Sequence, residues 1–113
     1  PGKGSVLLSI TDEKKAGFLP VARRLHEKGY RLYATSGTHS FLKQSGLVST
    51  KVDKIGVSLC GAEYLIKKGR IDLVINLSSG RGNYSYGYRL RRLAYEKQIA
   101  IITTLPAARA IVQ

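Results

Sequence analysis

Short apolar runs alternate with amphipathic ones from one end of the chain to the other. "SVLLSI" (5–10) reads as a buried strand. Phe18, Val21, Ala22 and Leu25 then fall at helical spacing, with Gly29 as the C-terminal stop. Pro20 donates no hydrogen bond to a helix ladder, which predicts a place near that helix's first turn. "YRLYAT" (30–35) is a second strand. Thr38 is expected to N-cap a short helix that runs through Leu42 and closes at Gly46. "VSTKVD" (48–53) is a weaker strand, and "GAEYLIKKG" (61–69) a helix with its own glycine stop. "IDLVINL" (71–77), nearly all β-branched or aliphatic, is the clearest strand. The polar loop "SSGRGNYSYG" (78–87) leads into "YRLRRLAYEKQ" (88–98), a helix with Leu90, Leu93 and Ala94 inward. "IAIITT" (99–104) is the fifth strand, and "PAARAIVQ" a last helix with Pro106 in its first turn.

Five strands separated by helices predict βαβ crossovers, hence an α/β domain with a central five-stranded parallel sheet covered by helices on both faces. Its 113 residues suit one domain with a real core. Ligands of such sheets collect at the carboxyl ends of the strands, where strand order reverses. "TSGTH" (35–39) lies at such an end, where free N–H groups and the positive end of a helix dipole favour phosphate. Ser and Thr are also the commonest N-caps, so on this stretch alone capping explains the hydroxyls at least as well. Repetition tips the balance. Thr11–Lys15 follows the first strand, Lys54 the third and Asn76–Arg81 the fourth, all on one edge of the expected sheet.

Charge narrows the partner. Nineteen Lys and Arg against seven Asp and Glu give a formal +12, which calls for an anionic partner. The single cysteine, Cys60, excludes an internal disulfide and suits a reducing, cytoplasmic setting. No apolar run approaches the roughly 18 residues of a membrane span, and no signal peptide is visible, so no membrane partner is expected. The chain starts at Pro1 and contains no methionine, which suggests a piece of a larger polypeptide.

Several motifs, taken together and in order, resemble one family: "GYRLYATSGTHSFLKQSG", "VDK", "IKKGRIDLVINLSSGR", "GYRLRRLA" and "IITT". The chain resembles the methylglyoxal-synthase-like (MGS-like) domain over nearly its whole length. The likeness is greatest to the C-terminal allosteric domain of the carbamoyl phosphate synthetase large subunit. The resemblance implies a three-layer Rossmann-like sandwich forming a single regulatory domain over residues 1–113, within an ATP-dependent ligase of pyrimidine and arginine biosynthesis. It implies no catalysis by the domain itself, and no cofactor beyond a nucleotide effector such as UMP, UTP or IMP. By motif, Lys15, Thr35, Ser36, Gly37, Thr38 and Lys54 would take the effector phosphate. Asn76, Ser78, Ser79, Gly80 and Arg81 would take the ribose and base. The partners implied are the phosphorylated effector and the catalytic domains of the parent synthetase, with contacts between copies of the domain left open. Lys54 is the bacterial-type residue, whereas Pro20 and "GYRLRRLA" look like the animal type, so the effector's identity stays open.

The enzyme of the family acts on dihydroxyacetone phosphate with aspartates and a histidine. Proton abstraction beside a carbonyl needs a positioned carboxylate base. The matching positions are Leu59, Ser79 and Thr11, none of them acidic or imidazole. A lyase is therefore the weaker alternative. A basic nucleic-acid-binding module is another, suggested by Arg89, Arg91 and Arg92 with Tyr84, Tyr86 and Tyr88, but no nucleic-acid motif is present. Docking on a neighbouring domain, or a solvated face with an Arg92–Glu96 pair, ranks above it. His26 and His39 are expected at the surface or as caps. Without Cys or Asp at ligand spacing they make no metal site. Cys60 reads as a small buried thiol.

Overall fold

The computed structural model describes residues 4–53, 61–78 and 86–113. Its elements follow the expected alternation: β1 (Ser5–Ile10), α1 (Asp12–Glu27), β2 (Arg31–Thr35), α2 (Ser36–Gln44), β3 (Thr50–Val52), α3 (Ala62–Lys67), β4 (Leu73–Leu77), α4 (Tyr86–Glu96), β5 (Ala100–Ile102) and α5 (Leu105–Ile111). The strands form one sheet in the order β3-β2-β1-β4-β5, with every pairing parallel. β1 is central, and the order reverses between β1 and β4.

Strand periodicity divides the core in two. Val6, Leu8, Ile10, Leu73, Ile75 and Leu77 face one way and pack with Phe18, Val21 and Leu25 of α1, Leu42 of α2 and Ala108 of α5. Leu7 and Val74 face the other way, onto Ala62 and Ile66 of α3 and Leu90, Leu93 and Ala94 of α4. β4 is buried at all five positions. Burial on both faces explains why its sequence is a continuous apolar run rather than an alternating one.

Helix α1 differs from expectation. It begins at Asp12, so Pro20 lies well inside it rather than near its first turn. Pro20 is exposed, and so is Ala16, whose carbonyl loses its ladder partner to the proline. Water reaches that carbonyl, which makes the proline tolerable. Apolar periodicity missed the first turns because Asp12–Ala16 overhang the strand ends and touch no core. Asp12 and Glu13 in the first turn complement the helix dipole. The second correction concerns Thr38: α2 is N-capped from Thr35, and Thr38 lies in its first turn. Gly29 and Gly46 end α1 and α2 as expected, with φ of 94° and 82°.

The β3–α3 connection has one tight point. Ala62 donates its N–H to the Asp53 carbonyl at 2.9 Å. A Cβ on Gly61 would lie 2.6 Å from that same oxygen and 2.8 Å from Asp53 Cβ. Backbone cannot yield as a flexible side chain can, so Gly61→Ala is expected to cost about 1–3 kcal/mol. A urea titration should show a lower midpoint at unchanged slope.

Candidate functional site

Parallel pairing brings the ends of β1, β2, β3 and β4 to one rim. Thr11 continues the ladder by donating its N–H to the Leu77 carbonyl at 2.8 Å, and Thr35 is in register with Val52. Two helices start on this rim with N-cap threonines, Thr11 for α1 and Thr35 for α2. Neither cap side chain bonds its helix. Thr104 of α5 shows the contrast, since its hydroxyl accepts the Ala107 N–H at 3.3 Å. Helix starts left without side-chain caps keep N–H groups available to an anion.

Lys15 comes over from α1 to the β2–α2 turn. A Cβ on Gly37 would lie 3.5 Å from the Lys15 ammonium, so the absent side chain leaves that approach open. The Lys15 side chain is only 12% exposed and pairs with Asp12, which is 97% exposed. The hydrogen bond and the charge of Lys15 hold the Asp12 carboxyl below its ordinary range. A carboxylate thus stands on the very cation that motif reasoning reserves for phosphate. The sequence signal was available, because Asp12 and Lys15 are three apart on one helix face.

The threonines divide their work. Thr38 is buried, and its hydroxyl accepts the Ile10 N–H at 3.0 Å and lies 3.4 Å from the Ile10 carbonyl. The β1–β2 register stops at Leu8↔Ala34. Thr38 therefore supplies the partner that the ladder no longer gives Ile10, and ties α2 to the central strand. Thr35 is also buried, while Ser36 and Gly37 are exposed on the rim. His39 Nδ1 meets the Ser49 hydroxyl at 2.7 Å, which fastens α2 to the segment before β3.

At the end of β4 lies Asn76, 4% exposed. Its Nδ2 donates to the Ser9 carbonyl at 3.3 Å, and its Oδ1 accepts from Arg91 Nη1 at 3.3 Å. Ser78 is exposed, and its carbonyl accepts from Lys14 Nζ at 2.8 Å. Lys14 and Arg91 were not among the expected site residues, yet both reach the same strand end. Arg91 had been grouped with Arg89 and Arg92, but it turns inward. Arg92 stays outside, 3.1 Å from Glu96 and 3.3 Å from the Tyr88 hydroxyl. Lys15, Thr35, Ser36, Gly37, Thr38, Asn76 and Ser78 thus share one rim. Lys54, Ser79, Gly80 and Arg81 lie outside the described residues, as do Leu59 and Cys60. Among the described residues no three His, Cys, Asp or Glu gather as metal ligands, and no helix is long and apolar enough to cross a membrane.

Removing the Thr38 hydroxyl leaves a buried N–H without a partner, which costs about 1–3 kcal/mol. Thr38→Val should therefore lower the thermal midpoint, and Thr38→Ser should recover most of the loss. Equal melting of the two variants would show that the hydroxyl contributes nothing.

Residues 17–103 match the MGS-like domain family, and the chain belongs to it. It is 40% identical over its full length to the carbamoyl phosphate synthase large chain, C-terminal section, of Methanocaldococcus jannaschii, and spans 18% of that protein. It is 38% identical over 97% of its length to the carbamoyl phosphate synthase large chain of Clostridium botulinum (strain Langeland), and spans 10% of that one. In structure it resembles methylglyoxal synthase from Elizabethkingia anophelis, with a TM-score of 0.79 at 19% identity, covering the whole of this chain and 79% of the other. This likeness shows the fold, a five-stranded parallel sheet between helical layers.

Proposed function

We propose that this member of the MGS-like domain family is an effector-binding regulatory domain, and that it holds a phosphorylated nucleotide at the rim of its sheet. The observation that supports this best is Lys15, nearly buried and facing the exposed Gly37 backbone at an α2 start that no side chain caps. A fixed ammonium beside free N–H groups suits a phosphate. Relatives that are carbamoyl phosphate synthase large chains make the synthetase the natural parent.

A lyase on the same scaffold would need a base. Of the chain's seven carboxylates, Asp12, Glu13, Asp53 and Glu63 sit at the strand-end side of the sheet, and the Lys67 hydrogen bond holds the Glu63 carboxyl below its ordinary range. Asp12 is held ionised by its lysine, with its pKa lowered rather than raised toward neutrality. That makes it a poor proton acceptor at neutral pH. We assign the domain to binding, with dihydroxyacetone phosphate bound at most and not turned over.

The outer face of α4 would then meet the catalytic body of the synthetase. Arg92 and Tyr88 are exposed there, and Tyr95 is 80% exposed. Arg and Tyr are the residue types that dominate protein interfaces. Coupling between sites needs contacts that differ between two states, which a domain interface supplies.

Calorimetric titration with UMP and IMP tests the binding assignment. Lys15→Ala should weaken affinity about tenfold or more, the worth of a hydrogen bond to a charged group. Asp12→Asn, which removes the competing carboxylate, should strengthen it. Binding by neither nucleotide, or no response to Lys15→Ala, would sink the assignment. Replacing Arg89 and Arg92 together by alanine should leave effector affinity unchanged and blunt effector regulation of the full-length synthetase. Loss of effector binding in that double variant would move these arginines into the pocket.

A further inference from the structure

We infer that the rim holds a second anion subsite at the end of β4, built by Lys14 and Arg91, so that the domain's preferred ligand carries two separated anionic groups. The inference rests on the effector-site assignment and adds the chemical class of the ligand.

Two adjacent lysines in the first turn of α1 point to opposite sides of β1. Lys15 goes to the β2–α2 turn, over Gly37. Lys14 goes to the end of β4, where its ammonium donates to the Ser78 carbonyl at 2.8 Å. Arg91 reaches the same strand end from the other face of the sheet, through the amide of Asn76. A cation from each helical layer therefore converges on Asn76–Ser78.

The two ends differ in how their charge is balanced. The chain's carboxylates are Asp12, Glu13, Glu27, Asp53, Glu63, Asp72 and Glu96, and all lie within the described residues. The ion pairs among those residues join Lys15 to Asp12, Lys67 to Glu63 and Arg92 to Glu96. Among the described residues, Lys14 and Arg91 bond only to neutral oxygens, a carbonyl and an amide. Neutral acceptors satisfy the donors but leave both charges uncancelled. Arg91 is moreover partly buried, where an uncancelled charge is felt more strongly than in open water. An anion there would meet two cations, neither of which joins an ion pair among the described residues.

Geometry sets the ligand's span. β2 and β4 flank β1, so the two subsites are two strand spacings apart, about 10 Å. A phosphate ester with a second phosphate, pyrophosphate or carboxylate at its far end fits that span. A simple monophosphate fills one subsite only.

Fructose 6-phosphate and fructose 1,6-bisphosphate, titrated by calorimetry at one fixed ionic strength, separate the cases. The bisphosphate should bind at least about tenfold more tightly, as a further charged hydrogen-bonded contact provides. Lys14→Gln should remove that advantage and leave the monophosphate unchanged. Arg91→Lys, which keeps the charge but loses the planar fork, should reduce it in part. Lys15→Gln should weaken both sugars alike. Equal affinity of the wild-type domain for the two sugars would overturn the second subsite while sparing the effector-site assignment. So would equal loss for both sugars in Lys14→Gln. Binding of neither sugar by the wild-type domain overturns the second subsite, while the UMP and IMP titrations decide the effector-site assignment separately.

Discussion

Parallel pairing on both sides of β1 is the constraint from which the site follows. Because β2 and β4 both run with β1, every crossover helix on their two flanks must begin where those strands end. α1 and α2 start on one rim for that reason, and their first-turn N–H groups are aimed at the same space. The central strand cannot be shortened or tilted without moving both flanks. Its last residue, Ile10, is fixed by Thr38 on one side, and Thr11 just beyond it by Leu77 on the other. A hydroxyl that motif reasoning gives to phosphate thus also closes the fold. The site and the end of the core share a residue, so a substitution there reports on stability before it reports on ligand.

Much of this was legible in the sequence, for a definite reason. Strands buried on both faces are continuous apolar runs, and crossover helices carry a 3.6-residue stripe. "IDLVINL" and the Phe18–Leu25 pattern could hardly be read otherwise. Helix stops were legible where glycine takes a positive φ, as at Gly29 and Gly46. The failures cluster where apolar content runs out. The first turns of α1 were missed because Asp12–Ala16 has one apolar residue, the exposed Ala16, which is too little to set a period. Pro20 then drew the predicted start toward itself. Those turns hold Lys14, Lys15 and Asp12, which make the rim polar. A polar helix start leaves no apolar period to read.

The site residues show the same division. Lys15 and the Thr35–Thr38 turn were candidates from the sequence because a short motif puts donors next to a glycine, and the structure brings them together on one rim. Asn76 was a candidate through its place at the end of an unmistakable strand. Lys14 and Arg91 were not, since their roles depend on where a long side chain ends. Lys14 and Lys15 are neighbours of the same type, and only the helix geometry sends one to Gly37 and the other to Ser78. Arg91 sits between Arg89 and Arg92 in a run that looks like one basic face. The helical repeat separates them, turning Arg91 toward Asn76 and leaving Arg92 to Glu96.

The surplus of positive charge takes on structure when the seven carboxylates are placed. Glu63 and Glu96 neutralise Lys67 and Arg92 on the α3–α4 face, and Asp12 neutralises Lys15. Arg89, exposed on the α3–α4 face, joins no ion pair among the described residues, so the face keeps a net positive charge. At the end of β4, among the described residues, two cations meet only neutral acceptors. A uniformly basic surface would attract any polyanion and lose it steeply with salt. Arg91, bonded to a neutral amide in a partly buried place, holds its charge where water weakens it less. Partly buried charges are also less screened by salt than exposed ones. An anion held at the end of β4 would therefore keep more of its attraction at high salt than one on the exposed helix face.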